Sequence, residues 1–183
     1  RYHGKHPRNG WYLQQMLKFY CTLVIPDILD RYLVIDTDTF FLKPTTFVEN
    51  NKCLYNYEIS SDEFPAHGPY FDHMKKMDNQ WKRVNNRKSG ICHHMLFEKK
   101  YVNEIIDHIE SLHNDSFWNV FFKMVDEKDV FDSGASEYEI YFNYMCRYHP
   151  EKIKLRLLDW CNTSELNLRR QDKTYLSYHW YRR

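Results

Sequence analysis

The chain has 183 residues, a formal net charge of +1 and 43% hydrophobic residues. That length suits one domain with a sizeable core, taken as residues 1–183, and the small net charge excludes a bulk electrostatic field for nucleic acid or an anionic membrane. Five scattered cysteines (Cys21, Cys53, Cys92, Cys146 and Cys161) form no C-x-x-C pair, which argues against a disulfide framework or structural zinc and suits free thiols in a reducing, cytoplasmic setting.

The chain opens on the basic segment RYHGKHPRNGW rather than on Met, as an internal piece of a longer polypeptide does. No signal peptide is visible and no apolar stretch is long enough to span a bilayer. Residues 9–25 read as a helix, with Leu13, Met16, Tyr20 and Leu23 at helical spacing, Asn9 as N-cap and Pro26 near its end. Residues 31–36 (RYLVID) read as a short buried strand, and 52–57 as a second strand. A loop over 60–70 precedes a polar helix over 70–86. Ser89-Gly90 is a turn, followed by a strand at 91–97 and an amphipathic helix at 98–112 whose apolar face runs from Val102 through Ile109 to Leu112. Ser116 caps a helix ending near Val125, and a charged loop fills 126–135. Ser136 opens a helix to about His149; strands follow at 153–158 and 174–178. Strands and helices alternate early and helices dominate later, which predicts an α/β fold with one mixed sheet flanked by helices.

The strongest motif is RYLVIDTDTFFLKP, residues 31–44. An apolar strand ends in two carboxylates, Asp36 and Asp38, one residue apart. Ligands of open α/β sheets bind beyond the carboxyl ends of strands, and two acids there suit a hard divalent cation, Mn²⁺ or Mg²⁺, bound through oxygen. Such a cation bridges a nucleotide diphosphate and neutralises charge as it departs. Two loop acids closing a strand are the structural alternative. A phosphatase of the haloacid-dehalogenase type uses D-x-D-x-[TV] after a strand, but Phe40 occupies the last position here, and no later acidic pair completes that pattern.

The stretch FYCTLVIPDILDRYLVIDTDTFFLKP (19–44) resembles the metal-binding region of GT-A glycosyltransferases, closest to the glycogenin-like retaining group. Together with GWYLQQ (10–15), PYFDHM (69–74), SGICHHMLF (89–97), GASEYEIYFNY (134–144) and YHW (178–180), the chain resembles a bacterial and viral glycosyltransferase-like family over nearly its whole length. The resemblance implies a Rossmann-related GT-A fold, here without its amino-terminal βαβ portion. It also implies a nucleotide-sugar donor, a carbohydrate acceptor and a place in polysaccharide or glycan synthesis. A non-catalytic sugar- or nucleotide-binding module is the rival from a different class.

The resemblance assigns the cation to Asp36 and Asp38, with His179 as third ligand. His179 can equally be a sheet-end residue beside Trp180. That group places an arginine on the helix before I-P-D where this chain has Thr22; Lys18, one turn earlier on the same face, is the substitute. Gln14 and Gln15 are candidates for sugar hydroxyls, and Ser89 and Gly90 for a loop approaching the sugar. His93 and His94 are adjacent on a strand, so at most one faces the pocket. Glu137 and Glu139 are the candidate catalytic acids. A capping box between Ser136 and Glu139 explains the latter structurally and leaves Glu137 as the favoured one. Trp11, Trp160 and Trp180 are each a sugar-stacking platform or a core residue.

Overall fold

The computed structural model describes residues 8–59 and 68–178. Helix α1 (Asn9–Val24) leads into β1 (Arg31–Ile35), β2 (Thr39–Phe41), the hairpin β3 (Val48–Glu49) and β4 (Lys52–Asn56), and the short β5 (Glu58–Ile59). Then come α2 (Gly68–Met77), β6 (Lys88–Ser89), β7 (His94–Glu98), α3 (Lys99–His113), α4 (Phe117–Lys123) and α5 (Glu137–Tyr148), before β8 (Ile153–Arg156), β9 (Trp160–Thr163) and β10 (Tyr175–Tyr178). The mixed α/β class agrees with the sequence reading. The single mixed sheet does not. Among the described residues the strands form four small sheets: β1–β7, β2–β10–β9, β3–β4–β8 and β5–β6. Parallel pairing is confined to β4–β8 and β9–β10. Short strands and sharp turns accompany this division: the chain passes from the β1–β7 sheet to the β2–β10–β9 sheet within the few residues of the Asp-Thr-Asp segment.

The core forms where α1, α3 and α5 pack on β1, β4 and β7. Val102, Ile105, Ile106 and Ile109 of α3 are buried, whereas Leu112, expected on that face, is 54% exposed in the last turn. Helix α5 is buried almost all round, although its sequence is rich in tyrosine. Its hydroxyls are satisfied inside: the Tyr141 hydroxyl accepts from the Glu98 N–H (2.9 Å) and from the Tyr55 hydroxyl (3.3 Å). Burying a ring without pairing its hydroxyl costs a few kcal/mol, so these partners permit a tyrosine-rich central helix.

Two expectations about elements are corrected. Helix α2 stops at Met77 rather than near residue 86. Beyond it, Asp78 Oδ1 accepts from the Gln80 N–H, Asn143 Oδ1 from the Val84 N–H and Asn85 Oδ1 from the Arg87 N–H, so local side-chain acceptors compete with the helix. Strand β1 is half exposed rather than buried, with Leu33 and Ile35 facing outward. The β3–β4 hairpin turns on Asn50 and Asn51, both left-handed (φ 49° and 61°), as a two-residue hairpin loop demands. No described helix is long and apolar enough to cross a membrane, and all five cysteines are free.

Two buried imidazoles give the fold an acid limit. His73 donates from Nε2 to the Phe121 carbonyl (2.8 Å), and His94 from Nδ1 to the Cys92 carbonyl (2.8 Å). Burial pushes each down to about 4. Between that value and about 6.5 the unfolded chain binds more protons than the folded one, so stability falls as pH falls through this window. Urea unfolding from pH 7 to pH 4 is expected to show that slope, reduced in a His73→Gln, His94→Gln variant; a flat profile in the unmodified chain contradicts it.

Candidate active site

The Asp-Thr-Asp segment is a turn between two sheets. The Asp36 N–H donates to the His93 carbonyl (2.9 Å), the Thr39 N–H to the Asp36 carbonyl (2.9 Å) and the Tyr178 N–H to the Asp38 carbonyl (2.8 Å). The backbone of both acids is thereby fixed by β7's approach on one side and β10 on the other. The Asp36 side chain turns back toward α1 and α5, while Asp38 sits half-buried at the turn.

Three side chains converge on the Asp36 carboxylate. Lys18 of α1 reaches Oδ1 at 2.8 Å, the Tyr138 hydroxyl of α5 donates to the same oxygen at 2.9 Å, and His93 Nδ1 donates to Oδ2 at 3.3 Å. Lys18 also contacts Glu137 Oε1 at 2.6 Å and lies 4.1 Å above the Tyr138 ring. Lys18 and Glu137 are nearly buried, with side chains 12% and 4% exposed, and Asp36 is 22% exposed. Burial pushes the Asp36 carboxyl up, but the His93 hydrogen bond and the Lys18 charge outweigh it and hold Asp36 well below the usual carboxylate range. Burial likewise dominates at Glu137, and there it wins: the carboxyl is raised despite Lys18. For Lys18, burial lowers and the Glu137 and Asp36 charges raise, leaving the ammonium firmer than usual.

His93 is held with φ 60°, a left-handed conformation uncommon outside Gly, Asn and Asp and characteristic of constrained sites. The Trp160 ring meets the His93 ring edge-on at 5.0 Å, and Trp160 stacks on Tyr175 at 5.4 Å. Glu58, half-buried nearby, is raised by burial and lowered by the His93 charge, with a net rise. Glu58 and Tyr138 were not singled out from sequence. The one signal for Tyr138 is its position between two first-turn glutamates of a capped helix.

Thus Asp36, Lys18, His93 and Glu137 come together. Thr22 does not: it is buried and donates to Asn103 Oδ1 (2.9 Å), so Lys18 is the residue of α1 that reaches the acids. Gln14 is exposed one turn from Lys18. Gln15 is not open to a sugar. Its Oε1 accepts from the Glu137 N–H (3.0 Å) and its Nε2 donates to the Trp11 carbonyl (3.4 Å), so it caps α5 from 122 residues away.

Ser89, Gly90 and Glu139 form a separate buried knot. The Glu139 carboxylate accepts from Ser89 Oγ, the Gly90 N–H and Asn143 Nδ2. Ser136 Oγ does accept from the Glu139 N–H (3.3 Å), but the Glu139 side chain leaves the capping box for these partners. A Cβ on Gly90 would lie 2.6 Å from Phe142 Cγ and 3.1 Å from the Tyr138 carbonyl oxygen. The close approach expected of this glycine is therefore to α5 rather than to a ligand. His94 points into an aromatic cluster of Phe41, Phe47 and Tyr175, so of the two histidines only His93 faces the acids. Trp11 stacks on Tyr70. His179 and Trp180 lie outside the described residues.

Among the described residues, no group of three His, Cys, Asp or Glu side chains is arranged to hold a metal ion. Asp36 Oδ1 is committed to Lys18 and Tyr138 and Oδ2 pairs with His93, so a cation here would share Asp36 Oδ2 with His93. The Lys18 ammonium lies between the Asp36 and Glu137 carboxylates, with the His93 imidazole on the other oxygen of Asp36. Mg²⁺ commonly takes only one or two protein carboxylates, completing its shell with phosphate oxygens and water, so a cation here would bring most of its own ligands.

Over residues 3–174 the sequence matches the family described as "Family of unknown function (DUF6492)". Searches of curated proteins and of solved structures found no match.

Proposed function

The chain belongs to the DUF6492 family, and we propose that it is a metal-dependent glycosyltransferase of GT-A type, moving a sugar from a nucleotide diphosphate to a carbohydrate acceptor. The observation that carries the reading is the convergence of Lys18, His93 and Tyr138 on the first acid of a strand-end Asp-Thr-Asp turn, with Glu137 on the same ammonium. An ion network this buried is costly to assemble for stability alone, and it stands at the strand-end pair of acids that a cation with a diphosphate would use.

In this reading Asp36 Oδ2 and Asp38 would hold Mn²⁺ or Mg²⁺, and His179, outside the described residues, is the third ligand the resemblance implies. The cation supplies charge neutralisation for the departing diphosphate. Lys18 fixes the orientation of Asp36 and Glu137 and adds positive charge beside the phosphates. His93, pinned through Nδ1, meets the Trp160 ring edge-on. The anomeric carbon exchanges its bond to the phosphate oxygen for one to an acceptor hydroxyl, whose proton leaves to a base. Glu137 is tied to Lys18, so it serves better as a positioning group than as that base. The protein's contribution is placement and electrostatics.

A screen of nucleotide sugars by Mn²⁺-dependent thermal shift, followed by donor hydrolysis with the responding sugar, tests the assignment. Asp38→Ala is expected to remove the Mn²⁺-dependent shift and lower hydrolysis by about 100-fold or more; unchanged hydrolysis in that variant sinks it. A non-catalytic binding module is the second reading, favoured by one observation: Asp36 already accepts from three side chains. It predicts the thermal shift without turnover.

A further inference from the structure

The β2–β10–β9 sheet reaches the candidate site through its outer strand. Its register sets Phe41, Tyr175 and Trp160 side by side in one cross-strand row, and Thr39, Ser177 and Asn162 in the next row on the same face. The contacts agree. The Tyr175 ring lies 5.1 Å from Phe41 and 5.4 Å from Trp160, and the Thr39 and Ser177 hydroxyls are 3.3 Å apart. Tyr175 and Ser177, on the middle strand, are fully buried, whereas Trp160 and Asn162 on β9 are half-buried. Cys161, between them, faces the opposite side of the sheet, where the Arg170 guanidinium meets it at 3.5 Å and pairs with Asp172.

Both half-buried side chains hold polar atoms that the chain leaves unused. The Trp160 side chain makes ring contacts with His93 and Tyr175 and no hydrogen bond among the described residues, although a buried indole N–H ordinarily finds a partner. Asn162 Oδ1 is screened from solvent and has no partner either. An orphaned amide oxygen costs a fold about 1–3 kcal/mol, and a partner from outside the chain is a common reason for keeping one. Trp160 lies parallel to Tyr175, their planes 6° apart, so the aromatic row covers one face of the indole and the other face turns away from the row. Residues two apart on a strand share a face and stand about 7 Å from each other. A ring and an amide so placed suit a pyranose: its C–H face lies on the indole, one hydroxyl donates to the amide oxygen, and another oxygen accepts from the indole N–H. Trp160, Asn162 and their neighbours Tyr175 and Ser177 are uncharged. The ionisable groups beyond Trp160 are His93, the Asp36 carboxylate it pairs with, and Glu58. A sugar carboxylate here would be drawn toward two acids.

We propose that Trp160 and Asn162 form the subsite for a neutral pyranose of the acceptor glycan, stacked on the indole with a hydroxyl donating to Asn162 Oδ1. Its assignment to the acceptor rests on the transfer reading above. The donor sugar hangs from a diphosphate at Asp36 and Asp38, and β9 lies one side chain further out, beyond His93. Recognition of a neutral sugar by the pair rests on the ring and the amide alone.

Saturation-transfer NMR of the full chain with maltose, cellobiose, lactose and diacetylchitobiose at millimolar concentration tests it, with digalacturonate as the charged control and neither nucleotide nor metal added. At least one neutral disaccharide is expected to take up saturation, most strongly at its ring C–H protons. Its Kd is expected to weaken about 10-fold or more in Trp160→Ala and in Asn162→Ala. Asn162→Ala removes an orphaned oxygen, so its Tm should stay within about 2 °C of the unmodified chain, and it keeps the test open should Trp160→Ala fold poorly. No response from any of the neutral sugars, a stronger response from digalacturonate, or binding unchanged in Asn162→Ala overturns the proposal. Titration of uridine and guanosine diphosphates with Mn²⁺, run in parallel, separates its failure from that of the transfer reading. Nucleotide binding without saccharide binding removes the subsite alone; saccharide binding without nucleotide binding removes the transferase and leaves a sugar-binding module.

Discussion

Replacing Lys18 with Met is expected to cost the fold about 3–5 kcal/mol at neutral pH, the usual penalty for stripping the partner from a buried charge. Glu137 is 3% exposed and has Lys18 as its counter-charge in the folded state; Asp36 keeps His93 and Tyr138. The loss should therefore fall mainly on Glu137. Its folded pKa is already raised by burial, and without the ammonium it rises further. A group raised in the folded state contributes stability that is fully present below its unfolded value, about 4.3, and is lost as pH climbs through the folded value. The deficit of Lys18→Met should thus be smallest near pH 4–5 and grow toward pH 8. Adding Glu137→Gln should return part of it at pH 8 and little at pH 5. Urea unfolding of the two variants at both pH values measures this. A deficit under about 1 kcal/mol at pH 8 would mean that the Lys18–Glu137 pair behaves like an exposed salt bridge.

Gly90→Ala should be comparably damaging for a steric reason. The new methyl would meet Phe142 and the Tyr138 carbonyl, both on α5, at distances van der Waals radii forbid. Phe142 is 2% exposed and Tyr138 is buried, so neither side chain has space to retreat. The 89–91 segment must move instead, taking the Gly90 N–H and Ser89 Oγ away from the buried Glu139 carboxylate. Overpacking of this kind costs about 1–3 kcal/mol, and a weakened buried acid adds on the order of 1–3 more. A fall in Tm of about 10 °C is expected. A variant melting within about 2 °C of the unmodified chain would show that the segment can slide along α5 at little cost.

The sequence makes the periodic elements legible. Helix α1 is placed by its apolar spacing, α3 by its isoleucines and α5 by Ser136, and each lies within about two residues of its expected bounds. The sheets are less legible, because two-residue strands such as β3, β5 and β6 carry no periodicity. The paired asparagines at 50 and 51 mark a tight turn, yet the sequence reading passes over them. At the site, type and spacing mark Asp36, and the resemblance adds Lys18 and Glu137, but they do not decide between His93 and His94. They fail for Gln15, Ser89 and Glu139, which look like open polar groups in one dimension. Their partners are 122 and 50 residues away, and only the folded chain shows that these polar atoms are already used. Local reasoning also gives Glu139 to the capping box, whereas a buried serine, a glycine N–H and an asparagine hold it.

The central claim is that the turn at Asp36 and Asp38 binds a nucleoside diphosphate through a divalent cation. Calorimetric titration of uridine and guanosine diphosphates into the chain, with and without Mn²⁺, tests it most directly. The account predicts binding of at least one nucleotide that requires Mn²⁺ and is lost in Asp38→Ala while the circular dichroism spectrum is retained. Binding of equal strength without the cation, or undiminished in Asp38→Ala, would contradict it.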